Sequence, residues 1–170
     1  MVESREEYVI LFDCLNIKNG GGVTVALQVI VGFVNAGWSV HVLCVSEKLA
    51  KQIDKIAKPG NVTVHFTPKL GSQWKCLMYR HLKLSKFCRE LKTDVIFSFN
   101  YWSPYSGKQV TYHINATPFF PRKKIKKLVG FTRSKLLPLY SLLAARRSSA
   151  NFFESDYLLQ MAKELSLIHI

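Results

Sequence analysis

The sequence predicts an α/β fold, in which a mostly parallel sheet is covered by helices on both faces. Apolar runs of strand length alternate along the chain with longer stretches whose apolar residues recur at helical spacing. The first run, residues 8–15, is apolar almost without interruption, which is typical of a strand buried on both faces. Strands that alternate with helices are joined by right-handed crossovers, and such connections give a parallel sheet.

The first half of the chain contains three predicted strands and two predicted helices. After three glycines, apolar positions 23, 26, 27, 30, 31 and 34 form one helical stripe and positions 25, 29 and 33 form a second. We therefore expect this helix to be buried on most sides and to end at Gly37. The remaining elements are strand 39–45, a charged amphipathic helix over 47–57, and strand 62–66.

The second half of the chain continues the alternation of helices and strands. The predicted elements are a long basic helix over 72–92, strand 95–99, an aromatic loop over 100–107, strand 109–114, a basic helical region over 122–147 and a short strand over 149–153. We expect the helical region to be broken near Pro138, because proline lacks the amide hydrogen that a helix needs. Ser155 is placed to cap a final helix, with Asp156 in its first turn.

Four unusual segments follow predicted strands and define a candidate site. In parallel α/β sheets, ligands bind beyond the carboxyl ends of the strands. The segments at such ends are residues 16–22, 100–107, 113–121 and 154–156.

Composition narrows the class of protein. The 170 residues are enough for one domain. The four cysteines are widely spaced without a C-x-x-C pair, which argues against a disulfide framework or a zinc cluster. The start lacks the apolar core of a secretory signal, and no apolar run approaches the length of a membrane span. We expect a cytoplasmic protein.

The charge is large and unevenly distributed. The net charge is +13, and no acidic residue lies between Asp94 and Glu154 or between Asp54 and Glu90. Such basic fields favour partners that carry phosphate, whether nucleotides, nucleic acids or anionic lipids.

The three consecutive glycines, Gly20, Gly21 and Gly22, allow two interpretations. They are a turn through which backbone amides approach a phosphate at a helix N-terminus, or a flexible connection without a ligand. A dinucleotide fingerprint requires G-x-G-x-x-G, and Val25 occupies the place of its third glycine. Glu47 is placed where a ribose-binding acid would lie, and an acid at the start of a helix explains it equally well, so a dinucleotide-dependent oxidoreductase stays an alternative.

Five segments together resemble the N-terminal, acceptor-side half of a family 4-type glycosyltransferase with the GT-B fold. In chain order they are NGGGVTVAL, AGWSVHVL, TDVIFSFN, VTYHINATP and SSANFFESDYLLQMAKEL. The match covers nearly the whole chain and implies a Rossmann-like domain over residues 1–165. It also implies a two-domain enzyme that transfers a sugar from a nucleotide-sugar donor to a glycan or lipid-linked acceptor, with retention of configuration and without a metal or other cofactor.

The chain departs from the family where it ends. In the family, a C-terminal domain holds the nucleotide and carries a pair of glutamates, and neither follows here. The last residues, LSLIHI, resemble a translated adapter sequence. We therefore expect residues 166–170 to be a non-native tail and the chain to be a truncated product that is inactive alone.

The resemblance implies roles for individual residues. Gly20, Gly21 and Gly22 would bind donor phosphate, and His113 would hydrogen-bond a donor hydroxyl or assist the acceptor as the catalytic residue. Acceptor contacts are expected from Lys18, Asn19, Asn100, Tyr101, Trp102, Asn115, Thr117 and Ser155. The alternatives are a hydrogen-bonded strand histidine at His113, an ordinary helix cap at Ser155, a turn before Pro118, and aromatic packing against the missing domain. His41 and His65 lie mid-strand and are expected to be structural.

A basic cluster followed by a short apolar run indicates contact with a membrane surface. The cluster comprises Arg122, Lys123, Lys124, Lys126, Lys127, Arg133 and Lys135, and the apolar run covers residues 136–145. This composition is typical of an interfacial segment on anionic lipid, although a core helix with a solvated basic flank explains it too. A peripheral position on the cytoplasmic face of the membrane is the resulting expectation.

A different class of function stays open, namely a basic module that binds anionic membrane or nucleic acid without chemistry. Nucleic acid is the weaker of these partners, because the sequence contains no ribonucleoprotein motif, zinc spacing or helix-turn-helix signature.

Overall fold

The predicted α/β fold with a mostly parallel sheet is confirmed. A computed structural model describes residues 8–56, 61–114 and 133–164, with the backbone alone for residues 133–138 and 164. Its strands are β1 (Val9–Cys14), β2 (Ser39–Cys44), β3 (Val62–Phe66), β4 (Val95–Phe99), β5 (Lys108–His113) and β6 (Ala150–Phe153). They form a six-stranded sheet in the order β3-β2-β1-β4-β5-β6, and β1–β2, β2–β3 and β5–β6 pair in parallel. This is the strand order of a doubly wound fold.

Where the structure describes the chain, the helices agree with the predicted ones to within a few residues, and the part of the predicted region 122–147 before residue 133 lies outside the described residues. They are α1 (Gly21–Asn35), α2 (Glu47–Ile56), α3 (Gln73–Tyr79), a π-helical turn (Arg80–Leu84), α4 (Ser85–Glu90), α5 (Arg133–Arg147) and α6 (Asp156–Glu164). In the described part of the chain, no helix combines the length and the apolar character that crossing a membrane requires.

The expected break near Pro138 is wrong. Helix α5 runs without interruption from Arg133 to Arg147 and contains Pro138 as its sixth residue. Proline removes one backbone hydrogen bond, to the residue four positions earlier, and that residue lies in the first turn of α5. The other backbone hydrogen bonds of this 15-residue helix are enough to keep it continuous through Pro138.

The chain divides into two compact units. The first contains residues 1–97 and 104–107, and the second contains residues 98–103 and 108–170. Each unit is described by itself below.

The core of the first unit is built on both faces of β1. Consecutive strand residues point to opposite faces, and all residues from Ile10 to Cys14 are buried, so both faces of β1 are covered. On one face, Phe12 contacts Phe33 of α1 edge to face, with ring centroids 5.4 Å apart. On the other face, Leu11 joins a cluster with Cys76 of α3, Leu84 of the π-helical turn and Cys88 of α4.

Helix α1 is buried as its two apolar stripes predict. All nine apolar positions of the two stripes are buried or half-buried, whereas Thr24, Gln28 and Gly32 are exposed. The helix ends in a Schellman motif, because the Gly37 amide donates to Val34 and the Trp38 amide donates to Phe33. Gly37 has φ = 84°, as the motif requires, and this confirms the predicted end.

A buried ion pair joins β1 to the π-helical turn. The Arg80 guanidinium donates from Nε to Asp13 Oδ2 at 2.5 Å and from Nη2 to Asp13 Oδ1 at 2.9 Å. Both side chains are almost entirely buried. The buried residues Cys76, Arg80, Leu84 and Cys88 are spaced by four, which is wider than the 3.6 residues of an α-helical turn. The π turn supplies the extra residue that keeps all four on one face.

The four cysteines are free and buried, as core thiols are. Burial raises the pKa of Cys44 to about 11 and that of Cys88 to about 12. These thiols are therefore protonated at neutral pH and unreactive.

Two histidines on neighbouring strands form a pair in the first unit. Nδ1 of His41 lies 3.1 Å from Nε2 of His65, and the rings stack with centroids 5.3 Å apart. His65 also contacts Phe87 of α4 edge to face. Burial lowers the pKa of both histidines, and for His65 the neighbouring His41 lowers the pKa further. One of these two nitrogens donates a hydrogen bond to the other, and this contact fits the structural role expected for both histidines.

Replacing Arg80 with methionine is expected to reduce the free energy of unfolding by about 3–5 kcal/mol, because Asp13 would be left buried without its cation. Urea unfolding followed by circular dichroism measures this. Arg89→Met changes the same residue type at an exposed position of the same helical segment, and it should cost less than about 0.5 kcal/mol. Asp13→Asn combined with Arg80→Met should recover part of the loss. If Arg80→Met and Arg89→Met lower the free energy of unfolding equally, the buried ion pair is not the cause of the loss.

Stability is expected to fall as the pH drops below about 6.5, the pKa of histidine in an unfolded chain. Because the folded protein holds the pKa of His41 and His65 lower, the unfolded state binds protons first and is favoured by acid. Urea unfolding at several pH values between about 7 and 5 tests this. A His65→Gln variant should lose less stability over that range than the wild-type protein. If both lose the same amount, the pair does not carry the dependence.

Candidate functional site

The glycine turn lies between the carboxyl end of β1 and the start of α1. Gly20 is the N-cap residue of α1, with φ = 70° and ψ = −153°, a conformation that is essentially restricted to glycine. Gly21 and Gly22 are the first two residues of the helix. A Cβ atom built on Gly20 or Gly21 meets no atom within 4 Å, so both positions border open space. The first glycine is thus required by the backbone, and Gly21 leaves the helix N-terminus accessible.

A groove lies beside this turn, at the carboxyl ends of β1 and β2. Its volume is about 340 Å³, and its lining residues are Lys18, Asn19, Val45, Ser46, Glu47, Lys48 and Gly71. The sequence-predicted residues Lys18 and Asn19 are thereby placed together with the start of α2. On the second side of the groove, from Val45 to Lys48, the sequence had suggested only Glu47, as a ribose-binding acid under the dinucleotide alternative.

Ser46 holds the two sides of the groove together. Its Oγ donates to the Lys18 carbonyl at 2.9 Å and accepts from the Leu49 amide at 3.3 Å, which caps α2. Across the groove, the Lys18 ammonium donates to the Gly71 carbonyl. A serine before a charged helix was readable from the sequence as a cap, but its bond to Lys18 required the fold.

The groove is electropositive. Its lining includes Lys18, Lys48 and the first turn of α2, whose amides carry the positive end of the helix dipole. Its one carboxylate, Glu47, is paired with Lys51 at 2.7 Å on the exposed side of the helix. The hydrogen bond and charge of Lys51 lower the pKa of Glu47. This arrangement suits an anionic group such as a phosphate or carboxylate.

The ion pair between Asp13 and Arg80 supports the start of the glycine turn. Arg80 Nη2 also donates to Asn16 Oδ1 at 2.7 Å, and Asp13 Oδ1 accepts from the Leu15 amide at 3.1 Å. The residues that lead from β1 into the turn are therefore held by buried charge. The sequence contained one signal of this, an aspartate within an apolar strand.

In the second unit, His113 ends β5 as predicted and is fully buried. Its Nε2 lies 3.0 Å from Asn151 Oδ1, and Asn151 Nδ2 donates to the Ala145 carbonyl at 3.0 Å. That second bond fixes which way the amide faces, so Nε2 carries the hydrogen. The ring stacks on Phe153 with centroids 4.8 Å apart. Burial lowers the pKa of His113, which makes the neutral imidazole the stable form. Its catalytic role stays a prediction.

The loop after β4 begins at Asn100, which has φ = 66°. Asn100 Oδ1 accepts from the Ile114 amide at 2.8 Å, and the Asn100 amide donates to the Tyr112 carbonyl at 3.0 Å. These bonds join the ends of β4 and β5. The guanidinium carbon of Arg147 lies 5.0 Å from the centroid of Trp102, a cation–π contact with the end of α5.

A buried polar network positions this loop, and sequence reasoning missed it. Gln109 Oε1 accepts from the Ser103 amide at 3.2 Å, and Gln109 Nε2 lies 3.1 Å from Ser98 Oγ and 3.4 Å from the Tyr101 carbonyl. Thr111 Oγ1 lies 3.0 Å from Ser98 Oγ and 2.7 Å from Ser148 Oγ. Polar residues at every second position of β5 were the available signal, because they share one face of the strand.

The remaining predicted site residues fall into three groups. Ser155 caps α6, since its Oγ accepts from the Leu158 amide at 3.3 Å, and its acceptor role stays a prediction. The second group lies outside the described residues and comprises Asn115, Thr117, Arg122, Lys123, Lys124, Lys126 and Lys127. Of Arg133 and Lys135, only the backbone is described, in α5. Among the described residues, no three of the His, Cys, Asp and Glu side chains cluster as metal ligands would.

The fold is shared with a solved glycosyltransferase. The chain is similar to the crystal structure of a glycosyltransferase from Rickettsia africae ESF-5, with a TM-score of 0.57 and 14% sequence identity. The similarity covers 94% of this chain and 40% of the other, so the chain spans less than half of that protein's length. The sequence matches no protein-family model and no curated protein.

Replacing Gly20 with alanine is expected to reduce the free energy of unfolding by about 1–3 kcal/mol, because alanine is strained in the backbone conformation of Gly20. Gly21→Ala is the matched control, since its Cβ also meets open space and its backbone is helical. Urea unfolding of both variants measures the difference. A loss of similar size in both would show that backbone strain at Gly20 is not the cause.

Proposed function

We propose that this chain is the acceptor-side domain of a retaining glycosyltransferase of the GT-B type. It would take part in moving a sugar from a nucleotide-sugar donor to a glycan or lipid-linked acceptor. The observation that carries the proposal is an open glycine turn next to an electropositive groove at the carboxyl ends of β1 and β2. The shared fold with a solved glycosyltransferase and the resemblance of the five sequence segments support it.

In this proposal the first unit contacts the charged part of the substrates. Amides at the start of α1 would bind the donor diphosphate, because Gly20, Gly21 and Gly22 present no side chain between helix and phosphate. Lys18 and Asn19 would contact the acceptor from the groove. No cofactor is needed, since a nucleotide diphosphate leaves once its charge is neutralised.

The second unit would contact the sugar and the acceptor. His113 would accept a hydrogen bond from a donor hydroxyl at Nδ1 as a neutral imidazole, the form that its burial favours, because its Nε2 hydrogen is directed at Asn151. Asn100, Tyr101, Trp102 and Ser155 stay proposed acceptor contacts, as do Asn115 and Thr117. The resemblance assigns the nucleotide and the paired glutamates to another domain, so we expect the 170 residues alone to be inactive.

The basic cluster keeps its proposed role on an anionic membrane. Its members from Arg122 to Lys127 lie outside the described residues, so the role depends on their sequence. With a lipid-linked acceptor, such a cluster would hold the protein peripherally on the cytoplasmic face, where nucleotide sugars are made available.

The test measures release of nucleoside diphosphate from pooled nucleotide sugars by the complete reading frame that contains this chain. Gly21→Asp places a carboxylate at the proposed diphosphate site and is expected to lower turnover at least about tenfold by charge repulsion. Gly32→Asp is the matched control, because its Cβ also meets open space and it lies in the same helix. It should leave turnover within about twofold of the wild-type protein.

Two results would contradict the proposal. One is the absence of nucleoside diphosphate release by the complete reading frame with every donor, which would favour a basic binding module. The other is saturable binding of a nicotinamide dinucleotide at the glycine turn, which would favour an oxidoreductase. Equal turnover by Gly21→Asp and Gly32→Asp would show that the glycine turn does not bind the donor, and it would leave the rest of the proposal standing.

A further inference from the structure

The helical segment from α3 through α4 carries apolar side chains on two opposite faces. One face is formed by Cys76, Arg80, Leu84 and Cys88 and is buried against β1. A surface helix of a globular protein normally carries a single apolar stripe, with polar residues opposite. Here the opposite face is apolar as well, and this second face is the unusual feature.

The second face consists of three large apolar side chains spaced by four. Trp74 is 61% exposed, Met78 is 38% exposed and Leu82 is 70% exposed. Residues four apart lie on the same side of a helix, so these three form one stripe along the segment. We call Trp74, Met78 and Leu82 the apolar stripe. Single exposed apolar residues are ordinary, but an aligned set indicates a contact surface.

Basic residues border the apolar stripe. Lys75 lies three residues before Met78, Lys86 lies four residues after Leu82, and both are exposed, as are Lys83 and Arg89. No acidic residue occurs between Asp54 and Glu90, and Glu90 is itself within 3.7 Å of the Lys86 ammonium. The border is therefore positively charged along the length of the stripe.

We propose that the apolar stripe docks on an anionic lipid surface, with Trp74, Met78 and Leu82 entering the interfacial layer. A helix that lies in a membrane interface combines an apolar stripe, often with tryptophan, and a lysine-rich border that contacts lipid phosphates. Tryptophan suits this layer because its ring is apolar while its N–H finds a polar partner.

Charge separates this occupant from its competitors. A second copy of the chain that docked stripe to stripe by two-fold symmetry would bring Lys75, Lys83 and Lys86 close to the same lysines of its partner. Nucleic acid would use the lysines and stack on Trp74, but it would leave Leu82 in water. An anionic lipid surface satisfies the apolar and the basic residues together.

This surface differs from the basic cluster at residues 122–135 and does not depend on the proposed transferase activity. Vesicle binding is measured without donor or acceptor, so its failure leaves the proposed activity untouched. Conversely, if the protein from the complete reading frame shows no transferase activity, the vesicle assay still tests this proposal independently.

The test is co-sedimentation of the chain with vesicles of phosphatidylcholine alone and of phosphatidylcholine mixed with phosphatidylserine. Wild-type protein is expected to bind the mixed vesicles, and Trp74→Ala combined with Leu82→Ala should weaken binding at least about tenfold, because two large apolar groups no longer enter the interface. Tyr157→Ala, at a residue of α6 with 61% exposure, is the matched apolar control and should bind as the wild-type protein does.

A charge variant tests the basic border. Lys75→Glu combined with Lys83→Glu should weaken binding to mixed vesicles at least about tenfold, since each lysine near anionic lipid is attracted to it and each glutamate is repelled. Lys163→Glu, at an exposed position of α6, is its control. All altered side chains are exposed, and circular dichroism verifies that the variants fold.

Three results would overturn the proposal. The first is equal vesicle binding by the wild-type protein and the Trp74→Ala, Leu82→Ala variant. The second is a wild-type protein that fails to bind mixed vesicles but is dimeric by sedimentation, with the stripe variant monomeric, which would assign the stripe to a second copy. The third is salt-sensitive binding of an oligonucleotide that requires Trp74, together with no binding to vesicles.

Discussion

The buried ion pair between Asp13 and Arg80 is the interaction on which the first unit depends. β1 is buried on both faces, so the Asp13 carboxylate has no access to water and needs a cation that the fold itself delivers. Arg80 meets that need with two bonds to Asp13, and it reaches Asn16 with a third. The π turn at Arg80–Leu84 brings the guanidinium onto the buried face without turning Cys76 or Cys88 away from the core. One pair of charges thus sets the position of a helix and the start of the glycine turn.

Much of the fold was predictable because it depends on local pattern. Four features depend only on residues that are close together in the sequence. They are the apolar run around β1, the double stripe of α1, its end at Gly37 and the cap at Ser155. The misprediction at Pro138 has a physical cause as well. A proline costs one hydrogen bond, and whether a helix survives that loss depends on the rest of the helix and its packing.

The location of the candidate site could be predicted from the sequence, but the contacts between its residues could not. Lys18, Asn19 and the glycines follow a strand, and strand ends are where ligands bind in such sheets. By contrast, Ser46 meets Lys18, and Gln109 meets Ser98 and Tyr101, only after neighbouring strands have come together in the sheet. The same holds for Asn151, whose side-chain oxygen determines which ring nitrogen of His113 carries the hydrogen. These partners are tertiary, so no local pattern announces them. The electropositive groove therefore emerges only from the structure, as does the exposure of the apolar stripe, and the two give the first unit two separate surfaces.

The strand order has a consequence for how the chain is made. β1 is the most buried strand, and its neighbours in the sheet are β2 and β4. Synthesis delivers β2 and β3 soon after β1, whereas β4 follows only after the long helical segment. Until then, the strand destined for the centre of the sheet is an edge with unpaired amides and carbonyls, the kind of surface that nascent chains aggregate through. Residues 73–90, which are synthesised in that interval, cover one face of β1 but not this edge, so the nascent chain stays vulnerable until residue 99 has emerged.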